Sequence, residues 1–152
     1  MTLEATEIIP RLYQGSRPPL GGAVSAEKFS AVVLAAKEFQ PPSQLFQGVR
    51  VIYVPLEDTR LMPHDFLAAQ RASQLAIEAY LTGGKVLVTC LAGINRSGLV
   101  TALVLHGLTG MSGSDAVKLI RRRRPIALLN RSYLQALRSL PSRERPKGRA
   151  LH

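Results

Sequence analysis

Valine, isoleucine and leucine gather in four short runs, at 11–15, 31–36, 49–55 and 85–90. Runs of this length with little alternation predict strands buried on both faces. Between the last two runs the spacing changes. Phe66, Leu67, Ala69, Leu75, Ala76, Ala79 and Tyr80 fall on one face of a helix over 64–82, and Gly83-Gly84 ends it. Further helices are predicted at 97–109, 113–123 and 131–139, with Ser112 and Asp115 at the spacing of a capping box. A short helix is expected at 26–30 behind Ser25. Breakers separate the segments: Pro18-Pro19 and Gly21-Gly22 in a loop from Gly15 to Gly22, then Gln40-Pro41-Pro42-Ser43. Strands alternating with helices predict an α/β fold, a central, mostly parallel sheet of four to five strands flanked by helices.

A chain of 152 residues forms one domain with a sizeable core, and 46% hydrophobic residues agree. No internal repeat or second domain is visible. Residues 1–140 carry the domain pattern, and 141–152 read as a basic, flexible tail with Arg143, Arg145, Lys147 and Arg149. The longest apolar segment, 98–111, is too short to span a membrane and reads as a central buried helix. No secretory leader is visible, since Glu4 and Glu7 stand where a basic region would precede an apolar stretch. A single cysteine excludes an internal disulfide framework and points to a reducing, cytoplasmic setting.

The formal net charge is +10, part of it in Arg121-Arg122-Arg123-Arg124 and the tail. Such a balance steers anionic substrates. Tryptophan is missing and aromatics are few, so stacking platforms for bases are scarce and nucleic acid is the less favoured partner. No His, Asp and Glu cluster has metal-ligand spacing, and no cofactor is implied. His106, among apolar residues, reads as a packed helix residue, and His64 as a solvated loop residue.

The lone cysteine carries the chemistry. Cys90 ends the run Val86-Leu87-Val88-Thr89 and precedes Leu91-Ala92-Gly93-Ile94-Asn95-Arg96-Ser97-Gly98, where a helix begins. A loop curling between strand and helix turns backbone N–H groups inward, and the helix N-terminus adds roughly half a positive charge. That field binds anions and favours a thiolate. Arg96 offers a planar fork for two phosphate oxygens. Gly93 permits a tight bend. Ser97 stands near the sulfur, able to donate to a leaving thiolate. Leu91, Ala92, Gly93, Ile94, Asn95 and Arg96 form the phosphate-binding loop.

Cys-x5-Arg-Ser between strand and helix resembles the signature of cysteine-dependent protein tyrosine phosphatases. Ile9-Pro10-Arg11-Leu12-Tyr13-Gln14-Gly15-Ser16, 49–58, Arg124-Pro125 and 129–137 resemble segments of its small dual-specificity branch, so the likeness runs from about residue 8 to 140. The family usually has His before the cysteine; this chain has Thr89. The resemblance implies two-step phosphoryl transfer through a phosphocysteine, without metal, on phosphorylated proteins or peptides. Cys90 is then the nucleophile, Arg96 the phosphate clamp and Asp58 the general acid. Glu57 and Asp65 compete for that last role. The resemblance also makes Thr89 and Asn130 supports of the loop, Asn130 reading equally as a helix cap. Glu38 reads as a partner for a cation near the loop or as a solvated carboxylate. An RNA 5′-phosphatase, a phosphoinositide phosphatase and a catalytically weak phosphate-binding module are the alternatives.

Overall fold

The computed structural model describes residues 2–144; most of the basic tail, 145–152, lies outside them. The elements in chain order are β1 Ala5–Ile9, β2 Leu12–Gly15, α1 Ala23–Ala26, β3 Ala31–Ala36, β4 Arg50–Leu56, α2 Pro63–Leu81, β5 Val86–Thr89, α3 Arg96–Thr109, α4 Gly113–Arg123 and α5 Arg131–Arg138. A 3-10 turn occupies Ser43–Leu45 between β3 and β4. The five strands form one sheet in the order β1-β2-β5-β3-β4. β1 is antiparallel to β2, and the other pairs are parallel. The expected α/β architecture with a mostly parallel sheet is therefore observed.

Two local expectations need correction. β1 shows no strand signal of its own, because Thr6 and Glu7 interrupt its apolar residues. It pairs with β2 through a tight hairpin in which Arg11 takes a φ of 72°. The short helix lies at 23–26 rather than 26–30, so Ser25 sits inside it and does not cap it.

β3 (AVVLAA) and β5 (VLVT) are buried along their whole length, as central parallel strands require. Successive side chains face opposite cores. Val33 and Val88 join the main core with α2 to α5, whereas Val32, Leu34 and Leu87 pack against Val24, Phe29, Phe46 and Val49. The second core is small, covered by α1, the 3-10 turn and their loops. β4 alternates buried and exposed positions, as an edge strand does.

Helix boundaries follow local chemistry. Pro63 opens α2 with Asp65 in its first turn, where a carboxylate complements the helix dipole. Ser112 caps α4 by accepting from the Asp115 N–H at 3.1 Å. α3 is buried over most of its length and ends at Gly110, whose φ of 77° suits a left-handed C-cap. His106 is half-buried there, its Nδ1 2.7 Å from the Met111 carbonyl. Beyond α5, the Arg143 N–H donates to the Gly110 carbonyl at 2.8 Å. Among the described residues no helix is long and apolar enough to cross a membrane.

The topology positions the site. β2, β5, β3 and β4 are parallel, so their C-terminal ends share one edge of the sheet. α/β folds bind ligands at that edge. It carries Gln14 at the end of β2, Cys90 after β5, Glu38 after β3 and Asp58 after β4.

Candidate active site

Cys90 lies one residue past β5, the middle strand of the sheet. It is 4% exposed, and Ser97 in the first turn of α3 is fully buried. Their Sγ and Oγ atoms are 3.2 Å apart. The segment between them curls because Gly93 takes a φ of 69°. A Cβ there would lie 2.5 Å from an Arg124 nitrogen and 2.6 Å from the Gly15 carbonyl carbon, so both the conformation and the space demand glycine.

The loop carbonyls turn outward onto named partners. Leu91 accepts from the Arg17 N–H at 3.0 Å, Ile94 from the Leu128 N–H at 2.9 Å and Asn95 from the Leu99 N–H at 2.8 Å. The Gly93 carbonyl accepts from Arg124 Nε at 2.8 Å and Gln14 Nε2 at 3.1 Å. A trans peptide points its N–H opposite to its C=O. The amides of Ala92, Ile94, Asn95 and Arg96 therefore aim at the concave side of the loop. Such a nest accepts the oxygens of an anion.

Arg96 stands at the start of α3, 6% exposed. Its Nη1 donates to Glu38 Oε1 at 2.5 Å and to the Leu56 carbonyl at 3.0 Å. Its Nε is buried with no protein partner among the described residues. Burial works against the charge on Arg96, but Glu38, the Cys90 sulfur and Asp58 outweigh it, and the guanidinium is held more firmly protonated than usual. The same hydrogen bond holds the Glu38 carboxyl below its ordinary range. Of the two readings of Glu38 from sequence, the ion pair near the loop is the one observed.

Asp58 is exposed on the loop after β4, and amides grip both of its oxygens. Asn95 Nδ2 donates to Oδ2 at 2.9 Å, and Asn130 Nδ2 donates to Oδ1 at 3.0 Å. With Lys37, Glu38, Glu57, Thr59 and Arg96 it lines a cleft of about 460 Å³. α5 fastens this loop from behind. Asn130 Nδ2 donates to the Thr59 carbonyl at 2.9 Å, the Leu61 N–H to Ser132 Oγ at 2.8 Å, and the Tyr133 hydroxyl to the Glu57 carbonyl at 2.6 Å. Burial pushes the Tyr133 phenol far up, and the nearby Asp58 charge adds to this. Of the competitors, Glu57 pairs with Lys37 at 2.8 Å in solvent, and Asp65 lies in the first turn of α2 beside His64.

Of the two supports read from sequence, Thr89 acts elsewhere and Asn130 is the helix cap that one of its readings gave. The buried Thr89 hydroxyl donates to the Val33 carbonyl at 2.8 Å and ties β5 to β3, with no bond to the loop that follows. Asn130 caps α5 by accepting from the Tyr133 N–H at 3.1 Å, and its amide group holds the Asp58 loop. The phosphate loop meets this segment through Asn95, whose Oδ1 accepts from the Leu129 and Asn130 N–H groups at 2.7 and 2.8 Å.

Two further residues have contacts at the site that the sequence reading did not assign. Arg124 is 5% exposed and braces the back of the loop. It pairs with Glu4 through both carboxylate oxygens, at 2.7 and 2.8 Å, and donates to Gly93 and Gln14 carbonyls. Arg124 before Pro125 matched the family in sequence, but nothing local marked Glu4, Gly93 and Gln14 as its partners. Gln14 is fully buried and reaches Ser97 Oγ at 3.2 Å. A polar residue inside a predicted buried strand was the available signal.

Comparison with known proteins bears on the fold and the family. Human dual specificity protein phosphatase 8 is 29% identical over 136 residues, 87% of this chain and 21% of that protein. Human dual specificity phosphatase 28 is 28% identical over 131 residues, 86% of this chain and 73% of that protein. The chain thus spans about a fifth of the first relative's length. A mouse putative dual specificity phosphatase, crystallised with zinc tungstate, superposes with a TM-score of 0.77 at 22% identity, covering 91% of this chain and 88% of that one. The model of the dual specificity phosphatase catalytic domain matches residues 12–143, from the start of β2 to beyond α5, and the protein belongs to that family.

Proposed function

We propose that this chain hydrolyses phosphate monoesters on proteins, phosphotyrosine and also phosphoserine or phosphothreonine, through a phosphocysteine on Cys90. One observation carries the reading: a buried thiol at the floor of a loop whose Leu91, Gly93, Ile94 and Asn95 carbonyls turn outward, with a buried guanidinium beside it. In the first step Sγ bonds to phosphorus, the P–O bond to the substrate breaks, and Asp58 gives its proton to the departing oxygen. Arg96 and the loop amides hold the equatorial oxygens as charge develops. In the second step a water oxygen bonds to phosphorus and its proton passes to the Asp58 carboxylate. The P–S bond breaks and its electron pair returns to sulfur.

The exposed position of Asp58 and the shallow cleft support a dual-specificity substrate range. The loop interior, Leu91 to Asn95, carries no lysine or arginine to hold additional phosphates, which favours a protein monoester over a polyphosphorylated head group. The test is a panel of phosphotyrosine, phosphoserine and phosphothreonine peptides, a phosphoinositide and a 5′-triphosphorylated RNA, each with Cys90→Ser as control. Release of phosphate from the peptides alone, lost in Cys90→Ser, supports the proposal. Preference for the lipid or RNA reassigns the substrate, and equal turnover by Cys90→Ser overturns it.

A further inference from the structure

Behind the nucleophile stands a buried amide whose placement an apolar side chain would satisfy at lower cost. Gln14 in β2 is fully buried. Its Nε2 lies 3.1 Å from the Gly93 carbonyl and 3.2 Å from Ser97 Oγ, while its Oε1 is buried with no hydrogen-bond partner among the described residues. A buried carbonyl with no donor is unfavourable. The orientation of the amide is nevertheless fixed. The Gly93 oxygen only accepts, so nitrogen must face it, and the flipped amide would set two oxygens against each other.

That orientation dictates where the Ser97 hydrogen goes. Gln14 Nε2 has two hydrogens, one for Gly93 and one for Ser97. Ser97 Oγ thus accepts from Gln14; from a protonated thiol it accepts as well, and toward a thiolate its own single hydrogen is left to turn to Cys90 Sγ, 3.2 Å away. A serine hydroxyl without this neighbour rotates among acceptors. The geometry points to Gln14 as a positioning residue: it sets the Ser97 hydroxyl to donate to the Cys90 sulfur whenever that sulfur carries negative charge. In the proposed reaction this matters most when the P–S bond breaks and the electron pair comes to rest on Sγ. That kinetic consequence rests on the phosphocysteine reading; the state of the free sulfur does not.

The test is a double-mutant cycle of Gln14→Met, Ser97→Ala and the double variant. Methionine keeps the length of the side chain and removes both donor and orphan acceptor, so thermal stability should hold; Gln14→Leu is the second variant should methionine disturb packing. Two readouts are followed: the rate of Cys90 alkylation by iodoacetamide at mildly acid pH, and the pre-steady-state burst with p-nitrophenyl phosphate. Gln14→Met is expected to slow alkylation roughly two- to tenfold, the net worth of one hydrogen bond. It should also produce a burst as the second step slows. In the Ser97→Ala background it should change neither. Wild-type rates in Gln14→Met, or full additivity in the double variant, overturn the inference. If the wild-type protein releases no p-nitrophenol, the phosphatase reading fails, and the alkylation cycle still decides the role of Gln14.

Discussion

Each oxygen of Asp58 is held by an amide, one from the phosphate loop and one from the start of α5. The proposed acid is therefore delivered by the same residues that shape the cup, although the loop bearing it lies in solvent. Asp58→Ala is expected to lower kcat roughly 10²–10⁴-fold, the usual contribution of a general acid, with KM changed little. Steady-state kinetics on an aryl phosphate would show this, and an unchanged kcat would move the role to Glu57 or Asp65. Of the residues that touch substrate in this account, Cys90 and Arg96 were legible in the sequence as a nucleophile and a cation at a fixed offset in one loop, and Asp58 as the carboxylate that follows β4 in a segment resembling the family's acid loop. The contacts of Gln14 and Arg124 and the bridging side chain of Asn95 were not. They act across 31 to 120 residues of sequence, and no local pattern encodes partners that far away.

The phosphate loop is an element whose shape depends on one glycine. Gly93→Ala forces a left-handed φ on a residue with a Cβ and drives that Cβ into Arg124 and the Gly15 backbone. Backbone strain alone costs about 1–3 kcal/mol, and relief requires the cup to open. Urea unfolding should show that loss, and turnover should fall with it; wild-type stability with wild-type turnover would contradict the described loop. The regular elements were legible where period and breakers agreed. Pro63 and Gly83 bracket α2, and Ser112 and Gly110 separate α3 from α4. β1 was not, because an antiparallel edge strand with a polar centre lacks the apolar run of its neighbours. α1 was misplaced because four residues hold too little periodicity to set a boundary.

At the scale of the molecule, residues far apart in the chain converge behind the loop. Glu4 precedes β1 and Arg124 ends α4, and their pair, 120 residues apart in sequence, closes the back of the site. Its hydrogen bonds to Arg124 hold the Glu4 carboxyl below its ordinary range despite partial burial. A carboxyl lowered by folding contributes stability that is present above its ordinary range and lost as pH falls through the folded value. Glu4→Gln should thus be less stable than wild type by about 1 kcal/mol at pH 7, because a half-exposed pair is screened. In chemical denaturation at descending pH the difference should shrink below pH 4.5, the ordinary value, and a gap that widens in acid would refute the pairing. Steering by the net charge of +10 adds a second expectation. For a dianionic peptide, kcat/KM should fall as salt rises, and stopped-flow assays at two ionic strengths would reveal a flat response if steering is absent. The central claim is that phosphate passes through sulfur. Rapid acid quench of the protein during turnover of a phosphotyrosine peptide, followed by mass spectrometry, tests it most directly. The account predicts phosphate on the Cys90 peptide, absent in Cys90→Ser; sustained phosphate release with Cys90 never modified would contradict it.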